Sequence, residues 1–179
     1  MSKDVQLRPV DRTDARFLSV LLNVYLLDVA PGATLDPVKM VDRIWNEGGH
    51  YGLWIMDGPK RVGFALVRDA RNGARELSEF CILGAYRNRA FGRAAAHALV
   101  NELPGKWFLG VAKGATGARE FWHKVLEDCP NIRNLKSGRP QSRHQSETLH
   151  FEIVDEGGAP SDGSGRGSAE EKKTDEAEV

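Results

Sequence analysis

The chain has only two cysteines, Cys81 and Cys129, in 179 residues. Two thiols so far apart form no disulfide framework, and the five histidines are scattered without ligand spacing. A metal site is therefore not expected, and a reducing, cytoplasmic setting is. No apolar run is long enough to span a bilayer, and none follows the basic start as a secretory leader would. A membrane partner is not expected either. Neither charge sign is in surplus, with 25 Lys plus Arg against 25 Asp plus Glu. Aromatics make up 8%, and exposed ones do not interleave with the arginines as a nucleic-acid platform requires. The chain also lacks Gly-x-Gly-x-x-Gly and Gly-Lys-Ser/Thr, which removes the dinucleotide fingerprint and the P-loop.

Charge is nevertheless uneven along the chain. From Asp155 onward there are eight acids and three bases, among Gly and Ser. That tail, residues 155–179, cannot bury enough apolar surface to fold and is expected to be disordered. Residues 1–154 form one domain, modestly basic and long enough for a full core.

The organising stretch is 76–98, ELSEFCILGAYRNRAFGRAAAHA. Leu77, Phe80, Cys81, Ile82 and Leu83 read as a strand. Arg87, Asn88, Arg89, Ala90, Phe91 and Gly92 form a turn, and an Ala-rich helix starts at Arg93. A strand, a turn and a helix start collect unpaired backbone N–H groups and a positive dipole end at one point. With Arg87, Arg89 and Arg93 beside it, this is a candidate phosphate site.

The remaining elements follow from periodicity. A strand is expected at 5–10, then a helix from Asp14 to Val29 capped by Asp11 or Thr13. Asp36-Pro37 opens a second helix, with Val38, Val41, Ile44 and Trp45 as its buried stripe. Strands 51–56 and 61–68 join through Asp57-Gly58-Pro59-Lys60 and lead by a second turn into the Glu76 strand. Strand 106–111, helix 118–126 and strand 148–154 follow, with 131–146 a long loop or an irregular strand.

The block from Arg87 to Gly92 resembles the pyrophosphate loop of the GCN5-related N-acetyltransferases, Gln/Arg-x-x-Gly-x-Gly/Ala. Arg87 fills the first place and Gly92 the last. Ala90 replaces the middle Gly, a mild departure, because Ala still lets a phosphate approach the backbone unless the position needs positive φ. Ala118-Arg119-Glu120-Phe121-Trp122 resembles the family's Ala-x-x-Phe-Tyr/Trp segment, with Ala115 where Asn is usual. Within the family, Glu79-Phe80 followed by Tyr86-Arg87 looks most like a branch of acetyltransferases with unassigned acceptors. The resemblance implies an α/β (α+β) fold with a mixed sheet of about six to seven strands and about four helices. It implies acetyl-CoA as co-substrate and direct transfer to a primary amine, on a small molecule or a protein, by a monomer or homodimer.

By the same resemblance, N–H groups of Arg89, Ala90, Phe91, Gly92, Arg93 and Ala94 hold the pyrophosphate, assisted by Arg87 and Asn88. Backbone around Cys81, Ile82 and Leu83 binds the pantetheine arm, and Phe121 and Trp122 pack beside it. Tyr25 is a wall of the acceptor pocket or a core aromatic. The base is Glu79, nearer the thioester, or Glu76, where gapless alignment puts it. Their odd spacing turns them to opposite faces of a regular strand unless a bulge intervenes. Trp122 stands where a Tyr acid is common, which leaves water, His123 or a Tyr such as Tyr25 to protonate the thiolate. His123 reads as a surface residue and Cys81 as a small buried hydrophobe. A catalytically weak CoA-binding module of the same fold is the alternative.

Overall fold

The computed structural model describes residues 4–154, so the tail expected to be disordered lies outside the described residues. The strands are β1 (Gln6–Pro9), β2 (His50–Asp57), β3 (Lys60–Asp69), β4 (Arg75–Ile82), β5 (Gly105–Ala112), β6 (Ile132–Gly138) and β7 (Gln145–Ile153). The α-helices are α1 (Ala15–Val29), α2 (Pro37–Asn46), α3 (Phe91–Glu102) and α4 (Ala118–Glu127). One mixed sheet of seven strands runs β1-β2-β3-β4-β5-β7-β6, and only β4 and β5 pair in parallel. The segment 131–146 is thus mostly strand. Its missing period reflects a register shift between Arg133 and Lys136 on an edge strand.

Two layers cover the sheet. Leu18, Leu22, Leu26 and Val41 of α1 and α2 pack on Trp54, Phe64, Leu66 and Cys81. On the other face, Ala96, Leu99 and Val100 of α3 and Trp122, Val125 and Leu126 of α4 pack on Val67, Leu77, Leu109 and Leu149. In α2, Asp36 caps as expected, its carboxylate accepting from Val38 and Lys39 N–H at 3.1 and 3.2 Å. The stripe is narrower than expected, because Val38 in the first turn is 56% exposed and only Val41 is fully buried. Neither Asp11 nor Thr13 caps α1. Residues Arg12–Asp14 form a 3₁₀ turn, and Asp14 leads into α1 without capping it. Its carboxylate instead accepts from Trp54 Nε1 at 3.1 Å and from Arg61 at 2.7 Å, tying the helix start to the sheet. A charge-assisted pair outcompetes a neutral cap bond for the same oxygens.

Two features of β4 position the site. First, β4 and β5 share only three residue pairs, from Arg75–Trp107 to Leu77–Leu109, and then part. Second, β4 bulges: Leu66 faces Glu79 while Val67 faces Leu77, leaving Ser78 as the extra residue. Directly paired residues share a face. Glu76 pairs with Arg68 and Glu79 with Leu66, and those two partners sit two apart on β3. Glu76 and Glu79 therefore lie on the same face, that of α1, and the opposite-face expectation for a regular strand is corrected.

Candidate active site

The gap between the parted strands is a cleft of about 820 Å³. One wall is the end of β4, with Phe80, Cys81 and Ile82. Facing it are Phe121, Trp122 and Val125 of α4 and the loop from Gly114 to Gly117. Tyr25, Asp28 and Val29 at the end of α1 close one side, and Arg87, Asn88, Ala90, Gly92 and Arg93 form the mouth. Loop and helix meet closely: a Cβ on Gly114 would lie 2.7 Å from the carbonyl oxygens of Asp28 and Val29. The cleft contributions of Asp28, Val29, Gly114, Thr116 and Lys124 were not read from the sequence. Only Gly114 carried a signal, a glycine in a loop at a close backbone approach.

The β4 backbone offers hydrogen bonds to the cleft. Adjacent residues of an antiparallel ladder turn their N–H groups to alternate edges. Leu83 N–H is bonded to the Val62 carbonyl at 2.9 Å, so the Ile82 N–H turns away from β3 into the splay. Leu83, expected to share the pantetheine contact, therefore has its N–H committed to the sheet and does not line the cleft. The Ile82 carbonyl accepts from Arg87 Nε at 3.0 Å.

At the mouth, the first intrahelical bond of α3 joins Ala94 N–H to the Ala90 carbonyl at 3.1 Å. The N–H groups of Gly92 and Arg93 precede it and have no partner in the helix. Ala94 N–H is used by the helix, and Phe91 is buried against Tyr86, with ring centroids 5.9 Å apart. Arg89, Phe91 and Ala94 do not line the cleft. The arginines are less available than their sequence density implies. Arg87 turns back to Ile82 and lies 3.9 Å from Asp28, and Arg93 pairs with Asp128 at 3.0 Å. A Cβ on Gly92 would lie 3.2 Å from the Phe121 ring, so hydrogen is what keeps this cradle open.

Ala90 sits at φ 64° and Asn88 at φ 59°. The position does need positive φ, so the Gly-to-Ala replacement is not mild: an L-residue there is strained by roughly 1–2 kcal/mol. Ala90→Val adds a β-branch to a left-handed residue and is expected to lower unfolding free energy by about 1 kcal/mol or more, whereas Ala90→Gly should not lower it. Urea denaturation of the two variants checks this, and equal losses would contradict it.

On the α1 face, Glu79 is half-buried between the sheet and Tyr25. Burial pushes its carboxyl up to about 7, the Tyr25 hydroxyl pulls it down, and the nearby Glu76 charge raises it. Tyr25 rises well above its ordinary value, first by burial and then by the Glu79 charge, so it stays a protonated hydroxyl at neutral pH. Glu76 is committed to an ion pair with Arg68. Cys81 is pushed up to about 11 by burial and stays a thiol, which removes it as a nucleophile. Trp122 packs edge-on to Phe80 at 5.0 Å and to Phe121 at 5.1 Å. His123 is not simply a surface residue: its Nε2 lies 3.1 Å from the buried Glu147, which Ser137 and Arg119 also hold. That ties α4 to the sheet, away from the cleft.

Among the described residues no group of His, Cys, Asp and Glu could hold a metal ion, and no helix is long and apolar enough to cross a membrane. No curated protein matches in sequence. Solved structures match in fold. An acetyltransferase from Thermus thermophilus is 15% identical, with TM-score 0.64, over 86% of this chain and 100% of that one. AAC(6')-Ib in complex with paromomycin and acetyl-CoA is 13% identical, with TM-score 0.62, over 84% and 93%. A spermidine N-acetyltransferase chimera from Vibrio cholerae and hSSAT is 14% identical, with TM-score 0.59, over 84% and 95%. The family model for the acetyltransferase (GNAT) family matches residues 22–127, which run from α1 through the β4 splay to the end of α4. This chain belongs to the acetyltransferase (GNAT) family, and it is an acyl-CoA-dependent N-acyltransferase.

Proposed function

We propose that the protein transfers the acetyl group of acetyl-CoA to a primary amine by direct attack within a ternary complex. The observation that carries this is the parting of β4 and β5 beyond Leu77 and Leu109, with the start of α3 at its mouth. Gly92 and Arg93 N–H groups hold the pyrophosphate at the dipole end of α3. The Ile82 N–H, turned into the splay, polarises the thioester carbonyl and stabilises the tetrahedral intermediate. The cleft residues that fit acetyl-CoA are Cys81, Ile82, Arg87, Asn88, Ala90, Gly92, Arg93, Phe121 and Trp122, all of which line it. Arg89, Phe91, Ala94 and Leu83 do not line it.

Glu79 takes the amine's proton. A base titrating near 7 is ionised in a useful fraction at neutral pH, which is the best match for general-base work. Tyr25 belongs both to the cleft lining and to Glu79's surroundings, so it connects the two. A thiol ordinarily titrates at about 8.5. Tyr25, raised above its usual range, cannot by itself hand a proton downhill to a thiolate. Protonated Glu79 can, with the Tyr25 hydroxyl as the relay. The proton taken from the amine then ends on the CoA thiol, and no separate acid is needed at Trp122.

The test is release of free thiol from acetyl-CoA across a panel of primary amines. Tight acetyl-CoA binding with no transfer to any amine, at any pH, would favour the weak-module reading, to which the Trp122 replacement points.

A further inference from the structure

A second cavity, of about 730 Å³, lies outside the cleft. Strand register places it. Arg68, Glu76, Phe108, His150 and Lys136 are successive partners across β3, β4, β5, β7 and β6, so they form one row on one face. That is the face of Glu79, and α1 and α2 pack on its β1–β4 half, reaching β5 at its end, Ala112. The cavity opens over the other half, on Phe108, His150 and Lys136 of this row. Lys106, two residues before Phe108, shares the face, and Arg71 in the β3–β4 turn closes one end.

Two properties define what the cavity takes. Phe108 and His150 stack, with centroids 5.8 Å apart and planes at 27°, which gives a flat aromatic wall. Arg71, Lys106 and Lys136 are exposed, and none forms an ion pair among the described residues. The one carboxylate of the lining, Glu152, accepts from Asn134 Nδ2 at 3.0 Å. A positive, aromatic-walled cavity fits a planar anion. Phe108 is one strand spacing, about 4.8 Å, from its partner Glu76, and Glu79 lies a further ~7–10 Å along β4, so Phe108 and Glu79 are roughly 10 Å apart, the reach of one small molecule.

We propose that this cavity is the far subsite for the acceptor, and that the acceptor is a primary amine joined to a flat ring bearing a carboxylate. The proposal rests on Glu79 as the base of the transfer reaction. It separates this chain from the solved structures named above for spermidine and paromomycin, whose polycationic ligands would meet three cations against one carboxylate here.

Two probes differing by one carboxylate test it: 4-(aminomethyl)benzoate and benzylamine, titrated calorimetrically into the full chain with CoA present, so that no transfer occurs. 4-(Aminomethyl)benzoate is expected to bind about tenfold tighter or better, the worth of a charge-assisted contact. The advantage should disappear in the double variant Lys106→Gln, Lys136→Gln, both exposed positions, while CoA affinity stays unchanged. Equal affinity for the two probes, or an advantage that survives the double variant, overturns the subsite. Acetylation of both probes is read separately. If the affinity gap holds but neither is acetylated, the cavity binds planar anions and its assignment to the acceptor is overturned, while the transfer reading is decided by the wider amine panel. If both are acetylated with no gap, the transfer reading stands and the subsite is overturned.

Discussion

Glu79→Gln is expected to lower kcat by roughly 10²–10⁴ at neutral pH, the usual worth of a general base. The amide keeps the shape and the Tyr25 contact but cannot take a proton. The loss shrinks at high pH, where the amine deprotonates unaided, and KM for acetyl-CoA hardly moves, because the mouth of the cleft is untouched. In the wild type kcat/KM is expected to rise with pH through about 7, where the Glu79 carboxyl ionises. Glu76→Gln is mild in rate for a different reason than the strand pleat: its carboxylate faces the same way but is held by Arg68. It does remove a charge that raises Glu79, so the rising limb should move to lower pH. A large, pH-rescued loss in Glu76→Gln with little change in Glu79→Gln would assign the base to Glu76.

The same substitution has a stability signature of fixed sign. Glu79 is raised in the folded protein from an ordinary value of 4.5 to about 7, so folding favours its protonated form. That contribution is complete below about 4.5 and is lost as pH rises through about 7. Glu79→Gln, always neutral, should therefore melt higher than wild type at pH 8 and about equally at pH 4. A lower melting temperature at pH 8 would contradict the burial argument. An ionised, half-buried carboxylate retained at a cost in stability fits a base rather than a structural residue.

Gly92→Glu is expected to weaken acetyl-CoA binding by at least on the order of 100-fold, without unfolding the protein. Gly92 presents its N–H where the α3 dipole is positive, and its missing side chain leaves room at the mouth. Any Cβ there already meets Phe121 at 3.2 Å, and the added carboxylate stands at the mouth beside the N–H groups that start α3. There it fills the phosphate space and repels the anion. Gly92→Ala should weaken binding far less, because a ring edge can yield by tenths of an ångström. Calorimetry with acetyl-CoA, alongside a thermal melt, decides it. An unchanged Kd for Gly92→Glu would remove the pyrophosphate assignment.

Much of this was legible in the chain itself, and the reason is local. The β4–turn–α3 block could be read because strand alternation, an Arg-rich turn and an Ala-rich helix each leave a signal within a few residues. Asp36-Pro37 and Asp57-Gly58-Pro59-Lys60 were readable for the same reason: one residue's backbone preference decides the structure there. Membership of the acetyltransferase (GNAT) family followed from two such blocks, Arg87 to Gly92 and Ala118 to Trp122. Three things depended on distant partners and left no local trace. The bulge at Ser78 is set by register against β3, and it alone puts Glu76 and Glu79 on one face. The commitment of Arg87, Arg93 and Asp14 depends on Asp28, Asp128, Trp54 and Arg61, far away in sequence. The meeting of Tyr25 with Glu79, and of Phe108 with His150 and Lys136, joins segments that only the closed sheet brings together. Sequence by itself settled what each segment prefers, because that energy is spent within one turn or one strand. Which side chains share a face, a charge or a proton was decided by the tertiary structure, because those energies depend on distance through space.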